Sequence, residues 1–207
     1  MLARLAGVLV ETPEARYGLK VTVGEPTKER RGVDTWKLSV ITHPERKGLP
    51  AQRIHIDVCA IPSHDRRPMM LRNPYGVDLG TSGLILQAQS REEILADKIV
   101  AFAFRPNRIK NRDVWDIAWL KQQGIELPLT LMPAKIKDHR HTVADFRSRL
   151  KVRLSGLSAD TAVRRDFVRE MQRFLPAATV RETVEKAPYW DYLAELVRSE
   201  GVKAIWA

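Results

Sequence analysis

The sequence predicts an α+β fold, a strand-bearing front part followed by a helical rear part, and three observations carry that prediction. Residues 53–61 alternate, with Ile54, Ile56, Val58 and Ala60 on one side and His55, Asp57 and Cys59 on the other. That is the two-residue period of a strand with one covered face. From Ser90 onward apolar residues recur at helical spacing through Ile94, Leu95, Ile99, Ala101 and Phe102. After Gly124 helical patterns dominate to the end of the chain.

Taken in order, residues 1–10 read as a short amphipathic helix with Leu2, Leu5 and Leu9 on one side. Residues 19–23 and 36–42 read as strands, separated by a charged segment, 24–34. With 53–61 they predict an antiparallel meander, and residues 84–88 add a further short strand. Ser90-Arg91-Glu92-Glu93 has the form of a capping box, in which hydroxyl and carboxylate satisfy each other's backbone amides at a helix start. Pro106 limits the end of that helix, and a second opens at Arg112.

Pro128 and Pro133 interrupt a connecting segment, and residues 143–154 then form a basic amphipathic helix. Residues 160–175 place Val163, Phe167, Met171 and Phe174 on one face and Arg164, Arg165, Arg169 and Arg173 on the other. Residues 180–199 make a last helix or pair, with a break at Pro188. The expected division is an α/β region over residues 1–124 and a helical region over 125–207.

A chain of 207 residues with 44% hydrophobic content can build a core, which excludes a disordered protein. The net charge of +10 and a pI near 10.0 favour a polyanionic partner: nucleic acid, nucleotide or an acidic protein. The basic residues are scattered, which argues against a simple DNA-binding tail. The single cysteine, Cys59, excludes an intrachain disulfide and a four-cysteine zinc site, and is expected to be buried. His139 and His141 lack HExxH or CxxC company and read as surface histidines. No stretch of about 18 apolar residues is present, and no cleavage pattern follows residues 1–10. A cytoplasmic protein without membrane attachment is the expectation.

Several residues carry possible chemistry. Lys98 projects from the apolar stripe of its helix, three or four positions from Ile94, Leu95, Ala101 and Phe102. A buried ammonium is costly unless it meets an anion. Asp113 and Asp116 share one face of the following helix. Lys98 with these aspartates makes an ion pair joining two helices, a phosphate or metal site, or both. Asp57 fits a strand face open to water, or a carboxylate displayed to hold a metal. Arg112 is a phosphate contact at a helix start or a solvated arginine. Arg164, Arg165, Arg169 and Arg173 are a candidate nucleic-acid face or an ordinary solvated one. Trp115 and Trp119, one turn apart, read as core rather than a base-stacking platform. Ser63-His64-Asp65 is contiguous and is no catalytic triad, which requires convergence in space. Glycine-rich Walker and dinucleotide loops are missing from the sequence.

The stretch Ser90-Arg-Glu-Glu-Ile-Leu-Ala-Asp-Lys98, followed by Arg112-Asp-Val-Trp-Asp116-Ile-Ala-Trp-Leu120, resembles the AbiEii/AbiGii toxin family. The resemblance covers roughly residues 1–125 in layout, and the rear helices in general character. It implies a polymerase-β-like nucleotidyltransferase sheet with helices, in a toxin of toxin–antitoxin or phage-defence type. It also implies a magnesium-dependent transfer of a nucleotide from NTP to an RNA, such as tRNA, or a protein acceptor, and a cognate antitoxin partner. On that resemblance Asp57 corresponds to the third carboxylate strand and is the metal ligand. Lys98 and Arg112 contact nucleotide phosphates, and Asp113 and Asp116 complete the catalytic group.

The sequence has no Gly-Gly-Ser/Thr turn and no Asp-x-Asp strand ahead of Asp57. Since a two-metal transfer needs those carboxylates, the chain alone is expected to be inactive. The alternative reading is a non-catalytic module that binds nucleic acid or protein.

Overall fold

The computed structural model describes residues 2–24, 33–46, 48–73, 76, 80–81, 83–106, 108–159 and 161–206. The charged segment between the first two strands falls largely at 25–32, outside the described residues, as do Asp160 and the side chains of Leu2 and Leu5. The chain forms two compact units, Met1–Ile61 and Pro62–Ala207.

In the first unit helix α1 (Leu2–Tyr17) packs against β1 (Lys20–Gly24). Strands β2 (Val33–Ile41) and β3 (Gln52–Cys59) complete an antiparallel sheet in the order β1-β2-β3. The helix outruns its expected end at residue 10 and accommodates Pro13. Gly18, at a left-handed φ of 62°, turns the chain into β1. Directly paired residues share a sheet face. Val21 opposite Val40, Trp36 opposite Ile56 and Leu38 opposite Ile54 therefore lie together. Val21, Trp36, Leu38 and Val40 form a small core, joined by Leu9, Leu19, Val23 and Ile56.

The period of β3 is as expected, but its burial is not. Ile54 and Val58 are exposed and only Ile56 is partly covered. β3 is the sheet edge, whereas α1 packs on β1 at the opposite edge. Cys59, expected to be buried, is exposed at the end of that edge strand.

The second unit opens with a hairpin of β4 (Arg66–Met70) and β5 (Ile85–Gln89), paired antiparallel. β5 is the strand expected at 84–88. β4 escaped the sequence reading because Arg66, Arg67 and Pro68 do not resemble a strand, although proline is tolerated on an exposed edge. Then come α2 (Arg91–Phe104), α3 (Asn111–Gln122), a 3₁₀ turn at Leu129–Leu131 and α4 (Met132–Asp138). They are followed by α5 (Val143–Ala159), α6 (Thr161–Met171), the single turn α7 (Ala177–Thr179), a π turn at Val180–Val184, and α8 (Ala187–Ile205). Pro188 sits in the first turn of α8, where a missing amide costs nothing. The expected break is thus a helix start.

One continuous core runs through this unit. Leu95, Ile99 and Phe102 of α2 and Val114 and Ile117 of α3 belong to it, with Phe146 and Leu150 of α5, Phe167 of α6 and Leu193 of α8. The division expected at residue 124 therefore falls inside the second unit, because α2 and α3 bury their apolar faces with the rear helices. The whole is an α+β architecture with small antiparallel sheets ahead of a helical rear.

Candidate functional site

Ser90 caps α2, its hydroxyl accepting from the Glu93 amide at 3.0 Å. The cap holds the start of the helix that carries Lys98, two turns in. Helices α2 and α3 pack through Leu95, Ile99, Val114 and Ile117, all fully buried, and this brings Lys98 to the opening turns of α3. Lys98 Nζ donates to Asp116 Oδ2 at 2.5 Å and to Asp113 Oδ1 at 3.4 Å. Arg105, the residue closing α2, donates through Nε to Asp113 Oδ2 at 2.9 Å. Asp113 thus bridges two cations.

The exposures decide what each group can do. The Asp113 side chain is 2% exposed, so a carboxylate there depends on Lys98 and Arg105 for compensation. Lys98 and Asp116 are 29% and 40% exposed, and remain accessible to a ligand. The cluster holds two cations and two carboxylates. It can present an ammonium and a guanidinium to phosphate oxygens, with Asp113 fixing both. Arg105 was not anticipated. The available signal was its place just before Pro106, where a helix end leaves a long side chain free to turn toward the next helix.

The structure brings Lys98, Asp113 and Asp116 together and takes Arg112 elsewhere. Consecutive helical residues point in directions about 100° apart, so Arg112 faces α6. Its Nε lies 3.5 Å from Glu170 Oε1, and its guanidinium stacks 4.9 Å above the Phe174 ring. Of the rear arginines, Arg169 pairs with Asp166 at 2.9 Å and Arg164 donates to the Glu185 carbonyl at 3.1 Å. Arg165 and Arg173 are exposed. Trp115 is partly buried against the core, whereas Trp119 is 45% exposed.

Asp57 stands in the first unit, exposed on the polar face of the sheet, accepting from the Thr35 hydroxyl at 2.6 Å. As a magnesium ligand it offers one carboxylate, which suits an ion held mainly by substrate phosphates. It does not amount to a two-ion centre. Among the described residues no group of three or more His, Cys, Asp or Glu side chains could hold a metal.

A second polar cluster was missed by the sequence reading. Glu93 completes only half of the expected capping box, since the Ser90 amide donates instead to the Asp65 carbonyl at 2.8 Å. The Glu93 carboxylate accepts from the Ser63 hydroxyl at 2.7 Å and from the His64 and Asp65 amides at 2.9 and 2.8 Å. Lys135 of α4 adds a bond at 2.9 Å and also meets Asp97 at 3.0 Å. Burial pushes the Glu93 carboxyl up, but Lys135, the His64 amide, the Ser63 hydroxyl and the Asp65 amide together bring it down to about 2. For Lys135, burial pulls the pKa down, and the bonds to Glu93 and Asp97 outweigh it and raise it. His64 Nε2 contacts Asp138 Oδ2 at 2.7 Å, tying the same loop to the end of α4. The sequence signal was a lysine amid Met132, Pro133, Ala134 and Ile136, in a helix too short for a convincing period.

A family model described as "Nucleotidyl transferase AbiEii toxin, Type IV TA system" matches residues 1–195. Comparison with curated proteins and with solved structures finds no match.

Proposed function

The chain belongs to the AbiEii nucleotidyltransferase toxin family of type IV toxin–antitoxin systems, and from that premise we propose that Lys98 and Arg105 hold the phosphates of an NTP. The single observation that carries this reading is the buried Asp113 carboxylate, which orients both cations while Lys98 stays partly open to solvent. Asp116, the more exposed carboxylate, is positioned to accept a proton or to release Lys98 to a phosphate oxygen. Asp57, in the first unit, is the proposed ligand of a magnesium ion, which would supply charge neutralisation for phosphoryl transfer. Arg112, engaged with Glu170 and Phe174, has a weaker claim to the phosphates than Arg105.

The acceptor is an RNA, such as tRNA, or a protein, and the partner is a cognate antitoxin. That role places the protein in the cytoplasm, in phage defence. No helix among the described residues is long and apolar enough to cross a membrane.

A second reading is favoured by one specific observation. These 207 residues contain no Gly-Gly-Ser/Thr turn and no Asp-x-Asp strand. The chain by itself then binds nucleotide, nucleic acid or protein without transferring anything. Incubation with labelled NTPs, magnesium, total RNA and candidate protein acceptors separates the two. Labelling by the wild type that disappears in both Asp57→Ala and Lys98→Ala establishes the enzyme. RNA or nucleotide binding without labelling establishes the module.

A further inference from the structure

The hairpin that opens the second unit has one edge closed to further pairing and one edge left open. The Leu71 amide donates to the Leu84 carbonyl at 2.9 Å, and the Ser90 amide to the Asp65 carbonyl at 2.8 Å. Both pairs continue the register of β4 and β5, in which Arg67 pairs with Ala88 and Met69 with Leu86. Inward and outward backbone groups alternate along an antiparallel pair. Arg66, Pro68 and Met70 of β4 and Ile85, Gln87 and Gln89 of β5 therefore turn their backbone groups outward. Pro68 has no amide to offer, which interrupts the outer edge of β4 at its middle. Ile85, Gln87 and Gln89 have no such guard, and among the described residues no further strand pairs with β5. Its residues, Ile-Leu-Gln-Ala-Gln, carry no charge either, whereas proteins commonly protect an edge with lysine, proline or a bulge.

The two faces of the hairpin differ, and the difference specifies an occupant. On one face Met69, Leu71, Leu84 and Leu86 are between 41% and 47% exposed. The cation on that face, Arg67, is taken by Asp65 at 2.9 Å and Glu92 at 3.5 Å. By the two-residue period the opposite face carries Arg66 and Arg72, both exposed and, among the described residues, without an ion-pair partner. A two-stranded hairpin with an uncovered apolar face is marginal by itself, and a third strand completes it. A second copy of the chain is a poor third strand. Pairing β5 with β5 about a two-fold axis gathers Arg66 and Arg72 of both copies on one face, between chains of net charge +10 each. An extended segment that alternates apolar and acidic residues fits instead. Its apolar side chains continue the face of Met69 and Leu86, and its carboxylates fall on the face of Arg66 and Arg72.

We propose that the outer edge of β5 is a docking site for an extended acidic segment of a partner protein, which adds to the hairpin as a third strand. The backbone groups of Ile85, Gln87 and Gln89 supply the hydrogen bonds, and the alternation of side chains supplies the selectivity. The inference holds whether or not the chain transfers nucleotides, and it uses none of Asp57, Lys98, Arg105 and Asp113.

The test uses the full chain and a fluorescein-labelled peptide of alternating valine and glutamate, about eight residues long to match a strand, read by anisotropy. Two comparison peptides carry the same residues in two blocks, and lysine in place of glutamate. The alternating acidic peptide is expected to bind most tightly, and added salt should weaken it. It should slow hydrogen exchange at the Ile85, Gln87 and Gln89 amides and leave those of Leu86 and Ala88, already turned into the hairpin, as they were. Gln87→Pro should bind about tenfold more weakly, since it removes an outward amide that the hairpin itself does not use. Arg66→Gln/Arg72→Gln leaves the backbone edge alone and should bind several-fold more weakly, with a smaller salt dependence. Circular dichroism shows that each variant is folded, and the exchange pattern decides the matter in the wild type without any variant. Wild-type affinity in folded Gln87→Pro, equal binding of the three peptides, or no binding by wild type overturns the proposal. So does protection that fails to separate Ile85, Gln87 and Gln89 from Leu86 and Ala88. Dimerisation of the wild type in sedimentation velocity that Gln87→Pro abolishes gives the edge to a second copy, and overturns it likewise.

Discussion

The ammonium of Lys135 and the carboxylate of Glu93 meet 2.9 Å apart, with side chains 1% and 0% exposed. Neither charge can fall back on water if its partner is removed. Glu93 also collects donors from Ser63, His64 and Asp65, so the pair anchors the 63–65 loop to α2 and α4. Lys135→Met should therefore cost about 3–5 kcal/mol, the range for breaking one side of a buried pair. Glu93→Leu/Lys135→Met should recover part of that loss. Urea unfolding midpoints check both, and a Lys135→Met protein as stable as wild type would remove the anchoring role.

The same carboxylate makes stability depend on acid. Its folded-state pKa of about 2 lies below its ordinary value of 4.5. The unfolded chain binds the proton first, so this contribution is fully present above about pH 4.5 and fades as pH falls toward 2. The stability difference between wild type and Glu93→Gln should accordingly be largest near neutrality and narrow through that window. Denaturant midpoints taken from pH 7 down to pH 2.5 read it, and a difference that stays flat would place the pH sensitivity elsewhere.

Asp113 and Asp116 share Lys98 but differ in exposure, and their variants should separate. Asp113→Ala leaves Lys98 and Arg105 without their buried bridge and should cost about 3 kcal/mol or more. Asp116→Ala removes a partly exposed partner and should cost about 1 kcal/mol or less. Equal losses for the two in thermal or urea unfolding would mean that burial does not rank them.

Lys98→Met should preserve the fold better than Lys98→Ala, because the aliphatic stem packs along α2 and the longer side chain keeps that contact. Both should bind nucleotide about tenfold more weakly, the effect of one charge-assisted phosphate contact. Arg105→Gln should show a comparable loss. Calorimetric titration with a non-hydrolysable NTP measures these affinities. Wild-type binding by folded Lys98→Met would exclude the ammonium from phosphate recognition.

By itself the sequence determined the α+β order of elements, the capped start of α2, the period of β3 and the shared face of Asp113 and Asp116. Each of these follows from spacing along one element, and spacing is local. Lys98 was legible as an anomaly, since a lysine on an apolar stripe needs an anion and two carboxylates lie within reach on the next helix. Arg105 and Lys135 were not. Both act across helix packing, and nothing in their own neighbourhoods states which helix comes near. The tertiary structure alone decided that Arg112 turns to Glu170 while Asp113, its neighbour, enters the cluster. It also decided that Glu93 abandons the Ser90 amide for the 63–65 loop and Lys135. In each case a long polar side chain had several partners of similar local merit, and helix packing decided which of them came within reach.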